Sequence, residues 1–103
     1  MTDQWLDACA TDDIDDEDLI TLELDGKFIA VYNTPEGFFA TDGMCTHEAE
    51  PLGDGLVMDG VIECPFHQGR FCVRTGKALS APAVEDLQTY ETRVENGRVL
   101  IRV

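Results

Sequence analysis

The chain has 103 residues, 44% of them hydrophobic, which suffices for one domain with a modest core and not for two, so a single domain over 1–103 is expected. It carries 21 Asp and Glu against 7 Lys and Arg, a net charge of −14 with neutral histidines. Such a surface repels phosphate backbones and anionic headgroups, which argues against nucleic acid and membrane surfaces and points to partners with basic patches.

The N-terminus, Met1-Thr2-Asp3-Gln4-Trp5, has neither the basic nor the apolar region of a signal peptide, and no run is long enough to span a bilayer. A soluble cytoplasmic protein is expected, and nothing demands more than a monomer. Trp5 to Cys9 reads as a first strand, with Trp5 capping the core. Thr11 to Asp18 is dominated by carboxylates around a lone apolar Ile14, so an exposed connection or a single helical turn is expected.

Strands then become frequent. Apolar residues at 20, 22 and 24 alternate and end in Asp25-Gly26, after which Lys27 to Asn33 restarts the pattern. A strand, Asp-Gly and a second strand is a strong hairpin signal, because both turn residues tolerate positive φ. Pro35-Glu36-Gly37 turns the chain into Phe38 to Thr41. Asp59-Gly60 and Asn96-Gly97 are further turns, the latter joining Gln88–Glu95 to Arg98–Val103. No segment keeps a 3.6-residue apolar period, so the fold is expected to be all-β, an antiparallel sandwich or small barrel. Between Gly43 and Gly76, six glycines and two prolines interrupt the meander. That composition predicts tight loops around a compact ligand, a subdomain of about 43–77 inserted into the β scaffold.

The chemistry concentrates there. Cys45-Thr46-His47 is followed, sixteen residues later, by Cys64-Pro65-Phe66-His67, and these loops hold both histidines of the chain. Two thiolates and two imidazoles suit zinc or iron–sulfur chemistry. A closed Cys2His2 zinc site remains an alternative, but one residue between Cys45 and His47 is a tight bite for a single ion. A binuclear cluster relaxes it, since each loop then gives one ligand to each metal. Cys9 and Cys72 have no such histidine and read as small buried thiols, with a disulfide between them the minority alternative.

C-T-H followed by C-P-F-H resembles the Rieske family, and more closely its small ferredoxins. The resemblance spans nearly the whole chain, including Arg70-Phe71, Thr75-Gly76-Lys77 and Ala81-Pro82-Ala83, the last similar to the family's proline loop over the cluster. It implies a [2Fe–2S] cluster with Cys45 and Cys64 on the buried iron and His47 and His67 on the outer one, the histidines serving as the electron exit. It implies an electron carrier, not an enzyme: a component of a bacterial multicomponent oxygenase system that takes electrons from a flavin-dependent NAD(P)H reductase and passes them to a terminal oxygenase acting on aromatic substrates. A redox subunit of another oxidoreductase, such as a nitrite-reductase-like small subunit, or a redox sensor is the alternative. The sequence departs from the respiratory type. Its second loop has Phe66 where that type has a disulfide cysteine, the first loop has none, and the hydroxyls that bond the cluster are replaced by Gly69 and Phe71. Glu48, Glu50 and Asp54 are candidates for orienting a basic partner, while Arg70 and Lys77 read as loop-fixing or surface residues.

Overall fold

A computed structural model describes residues 4–45, 51–65, 69–81 and 85–103. The strands are β1 (Trp5–Ala10), β2 (Asp18–Leu24), β3 (Lys27–Thr34), β4 (Gly37–Asp42), β5 (Leu56–Met58), β6 (Val61–Glu63), β7 (Arg70–Cys72), β8 (Ala78–Ser80), β9 (Thr89–Glu95) and β10 (Arg98–Arg102). They form a six-stranded sheet in the order β1-β10-β9-β4-β3-β2 and a four-stranded sheet in the order β5-β6-β7-β8. All the strand pairs are antiparallel. The large sheet curls enough to bring β1 against β2, and the small sheet docks on it through β5 and β2. Among the described residues no helix is long and apolar enough to cross a membrane.

The three expected turns behave as their chemistry requires. Asp25-Gly26, Asp59-Gly60 and Asn96-Gly97 each place both residues at positive φ, between 52° and 78°, the backbone that matches the twist of a two-residue hairpin. The acidic connection after β1 is a 3-10 turn, Thr11–Asp13, and the lone Ile14 behind it is buried. Ile14 docks the connection, and its carbonyl accepts a bond from the Asn33 side-chain amide at 3.0 Å.

β3 divides two cores. Its run Ile29-Ala30-Val31-Tyr32 is fully buried on both faces, which is why it reads as continuously apolar rather than alternating. Ile29 and Val31 face one core with Ala40, Val99 and Ile101, while Ala30 and Tyr32 face the other with Leu52, Ile62 and Phe71. The Thr41 hydroxyl donates to the Asp42 carbonyl at 2.8 Å, so the buried Tyr32 O–H donates to Thr41 Oγ1, also at 2.8 Å. That bond ties β3 to β4 just before the chain enters the first cysteine loop.

Three sequence expectations change in detail. The glycine-rich stretch is not loop alone: β5, β6 and β7 lie within it, and β8 carries their sheet on to Ser80. Strands of three residues are too short to show an alternating pattern. Trp5 does not cap the core; it is half-buried, with the Arg93 guanidinium 4.4 Å from its ring centroid. Cys9 is buried as expected, but Cys72 is only half-buried because it ends β7 on the outward side, and no disulfide joins the two.

Candidate metal centre

Two hydrogen-bonded necks present the cysteines. After β4, the Gly43 N–H donates to the Phe28 carbonyl at 2.9 Å, and the Gly43 carbonyl accepts the Leu52 N–H at 2.8 Å. Met44 pairs with Pro51 across an isolated antiparallel bridge. The chain therefore leaves at Cys45 and returns at Pro51 through a closed neck. Leu52–Asp54 then makes a 3-10 turn with Leu52 fully buried. At its end Gly55 lies so close to the Glu63 carbonyl that a Cβ would collide with it, which locks the first neck to β6.

The second neck is the end of the β6–β7 hairpin. Glu63 pairs with Arg70, and the Cys64 N–H donates to the Gly69 carbonyl at 2.7 Å. The segment that follows β8 is also pinned at its return. Asp86 accepts the Ala78 N–H at 2.9 Å, and the Gly76 carbonyl accepts the Leu87 N–H at 2.7 Å.

Cys45 and Cys64 are each 1% exposed and belong to one apolar cluster with Leu52, Ile62, Phe71 and Val73. Two sulfurs on separate loops are thus brought to one water-excluded place, each beside a loop that carries a histidine. Uncompensated thiolates would be costly there, whereas metal coordination supplies the compensating charge. The donor set fits a two-metal cluster. His47 and His67, with Glu48, Glu50 and Phe66, lie outside the described residues, as do Pro82 and Ala83. Asp54 is exposed on the 3-10 turn. Arg70 meets Glu63 at 3.3 Å as an exposed ion pair, and Lys77 is on the surface.

The other two cysteines differ in character. Burial, with the Asp13 and Asp7 carboxylates nearby, pushes the Cys9 thiol up. Burial also acts to raise the Cys72 thiol, but hydrogen bonds from the Thr75 hydroxyl and from the Thr75 and Arg74 amides, with the Arg74 charge, together bring it down. Sequence reading missed the supports of the site. Tyr32, Leu52, Asp86 and the Gly55–Glu63 contact have no motif of their own, and an apolar residue directly after Pro51 was the one hint.

The Rieske [2Fe–2S] domain model matches residues 4–91. The chain belongs to that family. The cofactor of this Rieske domain is a Rieske-type [2Fe–2S] cluster. The domain is 45% identical over 103 residues to the ferredoxin component of the naphthalene 1,2-dioxygenase/salicylate 5-hydroxylase systems of a Ralstonia species, covering 100% of this chain and 99% of that protein. It superposes with a TM-score of 0.89 and 35% identity on a chain from the complex of reduced oxygenase and oxidized ferredoxin in carbazole 1,9a-dioxygenase, covering 98% of this chain and 94% of that one. A chain described as a putative NADH-dependent nitrite reductase small subunit from Mycobacterium tuberculosis superposes at a TM-score of 0.88, covering 100% of this chain and 97% of that one, but at 22% identity this shows a shared fold alone.

Proposed function

We propose that this Rieske domain is a one-electron carrier, reduced by a flavin-dependent NAD(P)H reductase and delivering electrons to a terminal oxygenase that acts on aromatic rings. It works as a cytoplasmic monomer, one domain over 1–103, with a cluster-binding part that opens at about residue 43 and closes with β8. Cys45 and Cys64 hold the inner iron, and His47 and His67 the outer one.

The observation that carries this reading is the meeting of Cys45 and Cys64 in one buried cluster, each at the neck of a histidine-bearing loop. Its likeness over the full length to a ferredoxin component of dioxygenase systems supports the role of carrier rather than catalyst. Both histidines are taken as ligands, which leaves none for a separate catalytic iron. The bound cluster supplies chemistry in single electrons. The chain's own residues would hold it and keep water away: Leu52, Ile62 and Phe71 are buried in the same apolar cluster as Cys45 and Cys64, and the two necks fix where the loops begin and end. The alternative role, in a nitrite-reductase-like enzyme, has fold alone behind it.

Electron paramagnetic resonance before and after dithionite tests the reading. The oxidised protein should be silent, and the reduced one rhombic with an average g below that of all-cysteine clusters. His67→Cys should move the signal toward the all-cysteine type, and Cys45→Ser should abolish it. Zinc in place of iron in the metal analysis would overturn the proposal. A wild-type carrier that cannot pass electrons to an oxygenase would overturn the partner assignment while leaving the cluster in place.

A further inference from the structure

The small sheet shows an apolar outer face. Within β5, Val57 points into the core while Leu56 and Met58 point away, 66% and 65% exposed. The strand register sets Met58 beside the half-exposed Val61, and Leu79 of β8, 49% exposed, lines the same groove. The groove holds about 440 Å³. Among the described residues five large hydrophobic side chains are exposed, and Leu56, Met58 and Leu79 are three of them. Exposed apolar side chains gathered at one place mark an interaction site, where scattered ones would not.

The charges around the groove say what fits it. Asp59 and Glu63 line it, and Arg70, the one cation among its described lining residues, is already paired with Glu63. The Glu17 carboxylate accepts the Asp59 N–H at 3.0 Å, which brings another negative group to the rim. A second copy of the chain would bring its own −14 to this acidic rim and be repelled. An apolar ridge flanked by lysines or arginines is the complementary surface.

Position says which partner. Glu63 directly precedes Cys64, and Arg70 directly follows Gly69, so the groove abuts the neck of the second ligand loop. A chain 35% identical to this one is found in a complex of oxygenase and ferredoxin, and an oxygenase that meets the neck at Cys64 and Gly69 has the groove directly beside it. We propose that this groove is a docking surface for the terminal oxygenase, receiving an apolar ridge of that protein flanked by basic side chains. The proposal rests on the electron-carrier reading above.

The test uses the full chain loaded with its cluster and, as the probe, the terminal oxygenase of the Ralstonia naphthalene 1,2-dioxygenase/salicylate 5-hydroxylase systems, whose ferredoxin component is 45% identical to this chain. Binding is measured by calorimetry and electron delivery by stopped flow. Leu56→Ser with Met58→Ser should raise Kd roughly tenfold and slow delivery at low concentration in proportion. The resonance spectrum should stay unchanged. Val94→Ser removes an exposed apolar side chain elsewhere, 49% exposed on β9, and should leave both readouts alone. Asp59→Asn keeps a residue that tolerates the positive φ of the turn, and should flatten the salt dependence of the association rate.

An unchanged Kd for the double variant, with wild-type delivery intact, overturns the groove and leaves the carrier reading standing. Loss of reduction by a flavin reductase alone, or dissociation of a dimer by the double variant in sedimentation, also overturns it in favour of those occupants. A wild-type chain that neither binds nor reduces the oxygenase removes both the partner assignment and the groove.

Discussion

Phe71 is the residue whose chemistry bears most directly on the redox properties. Its ring is fully buried in the cluster of side chains that includes Cys45 and Cys64, and it offers those sulfurs no hydroxyl. Gly69, which also stands where the respiratory type has a hydroxyl, offers none either. Fewer hydrogen bonds to sulfur leave the added electron less stabilised, and a chain of net charge −14 opposes it further. The reduction potential should lie near the low end of the Rieske range, about −150 mV. Protein-film voltammetry decides the matter, and a value well above zero would refute it. Phe71→Tyr should raise the potential, at some cost in packing; a fall or no change would show that the ring does not govern the sulfurs.

At the scale of elements, the turns and necks decide where the ligand loops sit. Gly76 shows how tight the framework is. It has φ +77°, its N–H donates to the Cys72 carbonyl, and its own carbonyl takes the Leu87 N–H, both bonds 2.7 Å. A Cβ there would run into the Leu87 carbonyl oxygen and the Thr89 methyl. Gly97 has nearly the same φ, +76°, with nothing within 4 Å of an added Cβ. Gly97→Ala should therefore cost only the backbone penalty, about 1 kcal/mol. Gly76→Ala adds a collision and should cost about 2 kcal/mol or more. Urea unfolding of both variants checks this, and equal losses would mean that the close approach to Leu87 relaxes at no cost.

For the molecule as a whole, two tyrosines shape the response to base. Burial pushes the Tyr32 phenol well above its ordinary 10.0, and its bond to Thr41 only partly offsets this. Tyr90 is raised by burial and then by the Asp42 carboxylate, which accepts its O–H at 2.6 Å. A raised native pKa leaves stability intact while both states are protonated. It erodes stability once the unfolded chain starts to lose its phenol protons, above about pH 10. Tyr32→Phe should lower stability by about 1 kcal/mol near neutrality through the lost hydrogen bond. Because it removes one of the titrating groups, its further loss between about pH 10 and pH 11 should be smaller than that of the wild type. Parallel thermal melts across that interval test the sign, and identical slopes would show that Tyr32 ionises as freely when folded as when unfolded.

How much could be read in advance followed the range of the forces involved. The three hairpin turns and the all-β class were legible because each depends on a few neighbouring residues, Asp-Gly and Asn-Gly accepting positive φ, while C-x-H and C-x2-H mark a candidate donor set by spacing alone. The sequence by itself determined the chemistry, the turns and the charge. Only the tertiary structure decided that Cys45 and Cys64 share one dry cluster, that β3 separates two cores, and that Cys72 stays half-exposed while Cys9 does not. It also gathered Leu56, Met58 and Leu79 from separate strands into one groove. These outcomes depend on contacts between residues far apart in the chain, across strands as short as three residues whose pattern is too brief to read. Pairing register and sheet packing fix them, and neither is written in any local stretch of sequence.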